Sequence, residues 1–284
     1  MNNIIVTGGS GQLGQCLQKV VATAEQSYQY IFLSSKDLDL CNPAQVKAVF
    51  DQYQPSWCIN CAAYTAVDLA EDEQAAAFEL NQHAAGRLAQ ACADYGTTLI
   101  HVSTDFVFDG TSSKPLRESD PAKPVNVYGL SKLRGEESIA AVLPAHFILR
   151  TSWLYSEKAN NFCKTMLKLS HSRNQVQVIF DQVGTPTYAM DLARCIVHIV
   201  QSGLAAYGTY HYSNEGVASW YDFAKAIFEM AEVEMEVLPV HSATFNSKAT
   251  RPHYSVLDKT KIKEAFGISI PYWRDSLNYC INHI

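Results

Sequence analysis

No apolar stretch in this 284-residue chain reaches the ~20 residues that a membrane-spanning helix requires. No run or stripe of lysine and arginine appears, and a formal net charge of −6 argues against nucleic acid as the main partner. Internal repeats and low-complexity linkers are missing too, which excludes solenoids and predicts no clean domain boundary. The chain runs directly into a strand-like segment without a charged n-region or a long apolar h-region, so the cytoplasm is the expected compartment. Cysteine is present eight times but never as the second pair that a zinc site needs. Cys58 and Cys61 make one C-x-x-C in an apolar segment, where residues three apart on a strand face opposite sides; Cys16, Cys41, Cys92, Cys163, Cys195 and Cys280 are scattered. Reduced packing thiols are predicted, and no metal.

What is present is an alternation of strand and helix signals. Ile4, Ile5 and Val6 lead into Gly8, Gly11 and Gly14, spaced G-x-x-G-x-x-G, and Leu13, Leu17, Val20 and Val21 then recur at helical spacing. Small residues there allow a tight strand-to-helix turn and a close approach to a pyrophosphate, at which the helix N-terminus aims its free N–H groups. Further strands are predicted at 30–33, 57–61, 98–102, 147–150 and 176–179. Helices are predicted from an Asn42 cap and Pro43 through residue 50, and over the alanine-rich stretch 72–95. The order implies an α/β fold with a doubly wound parallel sheet of Rossmann type. Residues 1–150, with returns around 176–200, are assigned to the dinucleotide-binding domain. Residues 151–175 and 205–284, punctuated by proline and aromatic residues, are assigned to a smaller interleaved substrate lobe. The ligand cleft belongs at the carboxyl ends of the strands.

Two further features carry chemistry. Tyr128 and Lys132 lie four apart in a helical segment, so both side chains share a face, and a neighbouring cation favours the phenolate. Upstream, Ser103, Thr104 and Asp105 leave a predicted strand for a loop, where a hydroxyl can reach a reacting carbonyl or alcohol. A solvated helix face and a turn-stabilising cluster are the bland alternatives; the order glycine loop, Thr104, Tyr128, Lys132 argues against both.

That order resembles the extended short-chain dehydrogenase/reductases. Further strings, among them residues 60–68, 103–110, 126–129, 150–155, 181–187 and Arg251-Pro252, resemble the dTDP-4-dehydrorhamnose reductase family over nearly the whole chain. The resemblance implies NADPH-dependent reduction of the C4 ketone of dTDP-4-dehydro-L-rhamnose, which supplies a deoxysugar for lipopolysaccharide or cell-wall polysaccharide. Tyr128 would be the general acid, Lys132 would lower its pKa and hold the nicotinamide ribose, and Thr104 would hydrogen-bond the same ketone oxygen. Gly11, Gln12 and Leu13 would meet the pyrophosphate, Asp39 and Leu40 the adenine end, and Ala62, Ala63, Tyr64 and Thr65 would follow the third strand. Asp105 and Trp153 match sugar-contacting positions, and Arg251 is read either as a diphosphate contact or as a surface ion pair. Asp39 is equally readable as an acid favouring the next helix dipole, and Trp153 as core packing.

Cofactor choice is decided after the second strand, where an acid would repel a 2′-phosphate. Ser34, Ser35 and Lys36 stand there instead, which predicts NADPH over NADH. Tyr254 occupies a position that is small and polar in the family. Some relatives hold Mg²⁺ between subunits through acidic side chains near the positions of Cys16 and Met190; those two residues predict no such bridge, and a monomer or homodimer is expected. Another nucleotide-sugar reductase or epimerase, or a non-catalytic dinucleotide-binding regulatory subunit on the same fold, is the alternative function. A dehydratase would need the Asp-Glu pair that Thr104-Asp105-Phe106 lacks.

Overall fold

The computed structural model describes residues 2–23, 27–245 and 247–284. β1 (Asn2–Thr7) is followed by α1 (Gln12–Ala22), β2 (Tyr28–Leu33), α2 (Pro43–Tyr53) and β3 (Trp57–Asn60). The Asn42 side chain caps α2 by accepting from the backbone N–H groups of Ala44 and Gln45, with Pro43 in the first turn where no N–H is needed. Next come α3 (Val67–Ala70), α4 (Gln74–Phe78), α5 (Ala85–Tyr95), β4 (Thr98–Thr104), α6 (Val127–Val142) and β5 (His146–Thr151). The long alanine-rich helix forms from Gln74, but its middle, Glu79–Ala84, winds as a π-helix. This wider turn sets the Asn81 carbonyl against Gly135 of α6, where an added Cβ would lie only 2.0 Å from that oxygen.

The remaining elements are β6 (Leu154–Tyr155), α7 (Phe162–Ser170), β7 (Gln175–Ile179), β8 (Val183–Gly184), β9 (Thr187–Tyr188) and α8 (Ala189–Ser202). After them come β10 (Gly208–His211), β11 (Ala218–Ser219), α9 (Trp220–Met230), β12 (Glu236–Val240), α10 (Thr260–Phe266) and α11 (Trp273–Ile281). Six strands form one sheet in the order β10-β5-β4-β3-β1-β2, and every neighbouring pair is parallel. Side chains alternate across it. Ile4, Val6 and Ile59 join the apolar cluster that includes α1 and α8, while Ile5, Cys58 and Leu99 join the cluster that includes α2 and α5. Each fully buried aliphatic side chain of this kind stabilises the fold by about 1.5–3 kcal/mol, so both faces must be covered. Cys58 and Cys61 pack on opposite faces, and all eight cysteines are unpaired.

The expected return of the chain at 176–200 divides. α8 packs on α1 as the doubly wound pattern requires, but β7 pairs in parallel with β12, outside the central sheet. The sixth central strand is instead β10, from the stretch assigned to the lobe. The physical reason is visible in burial: β7 alternates exposed and buried residues, whereas β3 is buried at all four positions as a central parallel strand must be. Two more small sheets, β8 with β11 and β6 with β9, complete the irregular part.

Candidate active site at the strand ends

The carboxyl ends of β1, β3 and β4 lie side by side, and the loops that leave them carry most of the residues singled out by the sequence. After β1, Gly8 takes a positive φ of 66°, and a Cβ there would meet Ala62 N at 2.7 Å. At Gly14 a Cβ would meet the carbonyl oxygens of Gly8 and Gly9 at 2.5 and 2.6 Å, so α1 can press against the loop only without a side chain. No side chain caps α1, whose N-cap is Gly11, which leaves the first N–H groups around Gln12 and Leu13 for an outside acceptor. This cradle fits a dinucleotide pyrophosphate. The Gln12 side chain bridges to the second half of the chain, donating to the Leu154 carbonyl at 3.0 Å and accepting from Asn161 at 2.8 Å.

Beyond β2, Ser35 and Lys36 are exposed, but Ser34 is not free: its hydroxyl donates to Asp37 at 2.6 Å. Those bonds hold the Asp37 carboxyl below the usual carboxylate range. Asp39 accepts from the Cys41 N–H at 2.9 Å, a local turn, and the Leu40 side chain is buried in the core with Leu33, Leu38 and Val46. Only backbone and Asp39 edges of that segment therefore remain for a ligand. After β3, Asn81 clamps the loop. Its Oδ1 accepts from Tyr64 N–H at 2.8 Å, and its Nδ2 donates to the Tyr64 carbonyl at 3.0 Å and to Ser131 Oγ at 2.9 Å. Ala62 and Ala63 stay partly accessible and Thr65 exposed, while the Tyr64 hydroxyl donates to Glu73 at 2.8 Å.

Tyr128 sits in the first turn of α6, whose cap Asn126 accepts from Gly129 N–H at 2.7 Å. A Cβ at Gly129 would stand 2.1 Å from the Phe106 carbonyl oxygen, so this glycine brings the turn against the loop after β4. The Tyr128 hydroxyl consequently meets Thr104, and Phe106 packs edge-on against its ring. Thr104 donates to Asp105 Oδ1 at 3.1 Å. Burial pushes the Asp105 carboxyl up to about 6, opposed by the hydroxyls of Ser255 and Thr104.

One expectation is overturned. The helical spacing predicts Lys132 beside the phenol, lowering its pKa; instead burial pushes Tyr128 up to about 12, and the only relief is the Thr104 hydrogen bond. Lys132 is turned into the sheet. Its Nζ donates to the Val102 carbonyl at 2.7 Å and lies 3.1 Å from His101 Nε2. Burial pulls this amine down to about 8, against the raising influence of Glu136 and Cys61. The reason is tertiary: the same face of α6 that carries Tyr128 to the loop lays Lys132 over β4.

Trp153 joins this centre indirectly. It holds a left-handed φ of 46° and stacks face to face on Trp220 at 3.6 Å, and a Cβ on Gly184 would touch its ring at 2.8 Å and Ser255 Oγ at 3.0 Å. Gly184 thus leaves room for the indole and for Ser255, whose hydroxyl bears on Asp105. Arg251 does not project freely: it forms an ion pair with Asp68 at 2.6 Å, and its guanidinium holds that carboxyl well below the usual range. The ion-pair reading is therefore the one realised. Pro252 beside it packs on Gly110, whose φ of 80° and crowded Cβ position require glycine. A cavity of roughly 1210 Å³, lined by Asp68, Phe162, Arg173, Trp220, His241 and Arg251 among others, adjoins the Trp153–Trp220 stack. Tyr254 is partly buried and makes a backbone bridge to Val183, and Cys16 and Met190 are both buried in the apolar cluster containing α1 and α8.

Asn60, Asn81, His101, Trp220 and Ser255 were not among the expected site residues. His101 and Asn60 end apolar strand runs, and a polar residue inside such a run is the signal that could have found them. Trp220 and Ser255 carry no local signal.

The family described as the RmlD substrate binding domain matches residues 1–284. A dTDP-4-dehydrorhamnose reductase of Aggregatibacter actinomycetemcomitans is 39% identical over 287 residues, covering 98% of this chain and 97% of that one. The spore coat polysaccharide biosynthesis protein SpsK of Bacillus subtilis is 39% identical, covering 98% of this chain and 96% of its own length. The crystal structure of dTDP-4-dehydrorhamnose reductase from Bacillus anthracis in complex with NADP superposes with a TM-score of 0.95 at 37% identity, covering 100% of both chains. Matched over its full length in sequence and fold, the chain belongs to the RmlD substrate binding domain family.

Proposed function

We propose that this protein reduces the C4 ketone of dTDP-4-dehydro-L-rhamnose to give dTDP-L-rhamnose, consuming NADPH. The observation that carries the reading is the meeting of the Tyr128 phenol with the Thr104 hydroxyl at the end of β4, beside the glycine cradle of α1. NADPH, when bound, supplies the hydride. Gly8, Gly11, Gln12, Leu13 and Gly14 would hold its pyrophosphate, and Ser35 with Lys36 would meet the 2′-phosphate, a cation in the place where an acid would select the other cofactor.

The phenol of Tyr128 stays protonated at neutral pH because burial raises it, which suits an acid that must give its proton to a developing alkoxide. Thr104 stabilises the same oxygen by turning its one proton from Asp105 to it as charge builds there. Asp105 and Trp153 orient the deoxysugar, the carboxyl through its hydroxyls and the indole through an apolar face braced by Trp220. The cavity bordered by Trp220, Arg173 and Arg251 offers an aromatic wall and cationic groups to the nucleoside diphosphate end. Lys132, which points into the sheet at Val102 and His101, would have to swing away from them to reach the nicotinamide ribose. All these groups come from one chain, so a monomer or homodimer suffices. Among the described residues no helix is long and apolar enough to cross a membrane, and eight unpaired thiols suit the reducing cytoplasm.

The test is one assay with purified protein, dTDP-4-dehydrorhamnose and NADPH, followed by loss of reduced-cofactor absorbance. Oxidation stoichiometric with product supports the reductase. Substrate conversion without net oxidation would make it an epimerase, and binding of the cofactor without reaction would make it a regulatory subunit.

A further inference from the structure

A buried polar chain runs behind the proposed acid. Asn60 Oδ1 accepts from the Ala62 backbone N–H at 3.1 Å and from the Thr7 hydroxyl at 2.7 Å. A backbone N–H can only donate, so the amide orientation is fixed, and it is Nδ2 that faces His101 Nδ1 at 3.0 Å. An amide nitrogen cannot accept. His101 Nδ1 must therefore be the bare, accepting nitrogen, and the neutral ring carries its proton on Nε2, which points at Lys132 Nζ 3.1 Å away.

Two donors cannot share that line. An ammonium at Lys132 would face the Nε2–H head on, whereas a free amine accepts it through its lone pair and still donates to the Val102 carbonyl at 2.7 Å. His101, Asn60 and Lys132 are all 2% exposed or less, so water cannot relieve a mismatch. We propose that His101, with its tautomer set by Asn60, is a positioning residue that holds Lys132 as a free amine in the unliganded enzyme. Glu136 and Cys61 favour the ammonium, but both are weakened: Glu136, on the next turn of α6, is taken by a bidentate bond to Arg150, and the Cys61 thiol is pushed up by burial and stays neutral. Burial of Lys132 itself acts against the ammonium. Under the proposed function, which this inference deepens, Lys132 then becomes the cation that meets the ribose only on leaving His101, taking its proton from solvent.

The test uses the unliganded full-length enzyme, so it is independent of whether the sugar is the substrate. Nitrogen-15 NMR would assign the His101 ring by its loss in His101→Gln and the Lys132 amine by its loss in Lys132→Met. The expected result is a non-protonated Nδ1, a protonated Nε2, and a Lys132 amine whose midpoint lies at or below about pH 7, some three units under the ordinary lysine value. In Asn60→Asp the new carboxylate demands a proton on Nδ1, which leaves Nε2 bare to accept from an ammonium, so the Lys132 midpoint should rise by one pH unit or more. A proton on Nδ1 in the wild type, an ammonium persisting through about pH 8, or an unmoved midpoint in Asn60→Asp would each overturn the proposal.

Discussion

Asp105→Asn should make this protein more stable and less active, and the gain in stability should depend on pH in a calculable way. The carboxyl is 2% exposed, and burial moves it from an ordinary 3.8 to about 6. That displacement corresponds to about 3 kcal/mol by which the charged form disfavours the fold. The sign follows from proton linkage. Between pH 3.8 and 6 the folded state holds this proton more tightly than the unfolded chain, so stability falls as pH rises through that window and the full penalty stands above it. Asparagine carries no such penalty. Its Oδ1 can still accept from Thr104 and its amide can donate to Ser255, and imperfect replacement of these bonds takes back about 1 kcal/mol. The net gain at pH 8 should be about 2 kcal/mol, with a rise in Tm of roughly 3 °C, and it should grow by about 1.5 kcal/mol between pH 5 and pH 8. Urea unfolding of both proteins at pH 5, 6, 7 and 8 measures it. A variant less stable than wild type at pH 8, or a difference that does not change with pH, would refute the account of Asp105 as a buried anion.

Four other expectations are accessible with the same preparations. Tyr128→Phe should lose about 10²- to 10⁴-fold in kcat while keeping NADPH affinity by fluorescence titration; near-normal turnover would remove Tyr128 as the acid. Gly129→Ala must open the contact between α6 and the Phe106 carbonyl, and should lower stability by about 3 kcal/mol in a denaturant melt, with activity falling alongside. Arg251→Ala breaks a partly exposed pair with Asp68 and should change stability by less than about 1 kcal/mol; a tenfold rise in KM with kcat intact would assign the guanidinium to the nucleotide end, and an unchanged KM would leave it structural. Trp220→Leu removes the ring on which Trp153 stacks, so KM for the sugar nucleotide should rise while NADPH affinity stays constant. Equal KM values in variant and wild type would separate Trp220 from the site.

The sequence by itself determined the parts whose chemistry is local. The glycine cradle, the Asn42 cap, five of the six central strands and the hydroxyl-bearing exit of β4 all follow from spacing and side-chain type, because each depends on residues a few positions apart. Tertiary structure decided what depends on distance along the chain. β7 carries as strong an apolar signal as a central strand, yet its exposed alternate face sends it to β12, while the more polar β10 takes the sheet edge. Arg251 finds Asp68, and Trp220 finds Trp153, across stretches of sequence that give no sign of either meeting. Most telling is the Tyr128–Lys132 pair. Helical spacing put both on one face, but only the packing of α6 over β4 determined that Tyr128 turns to Thr104 and Lys132 to His101. In a buried site the group a side chain faces, more than its neighbour on the helix, sets where its proton goes.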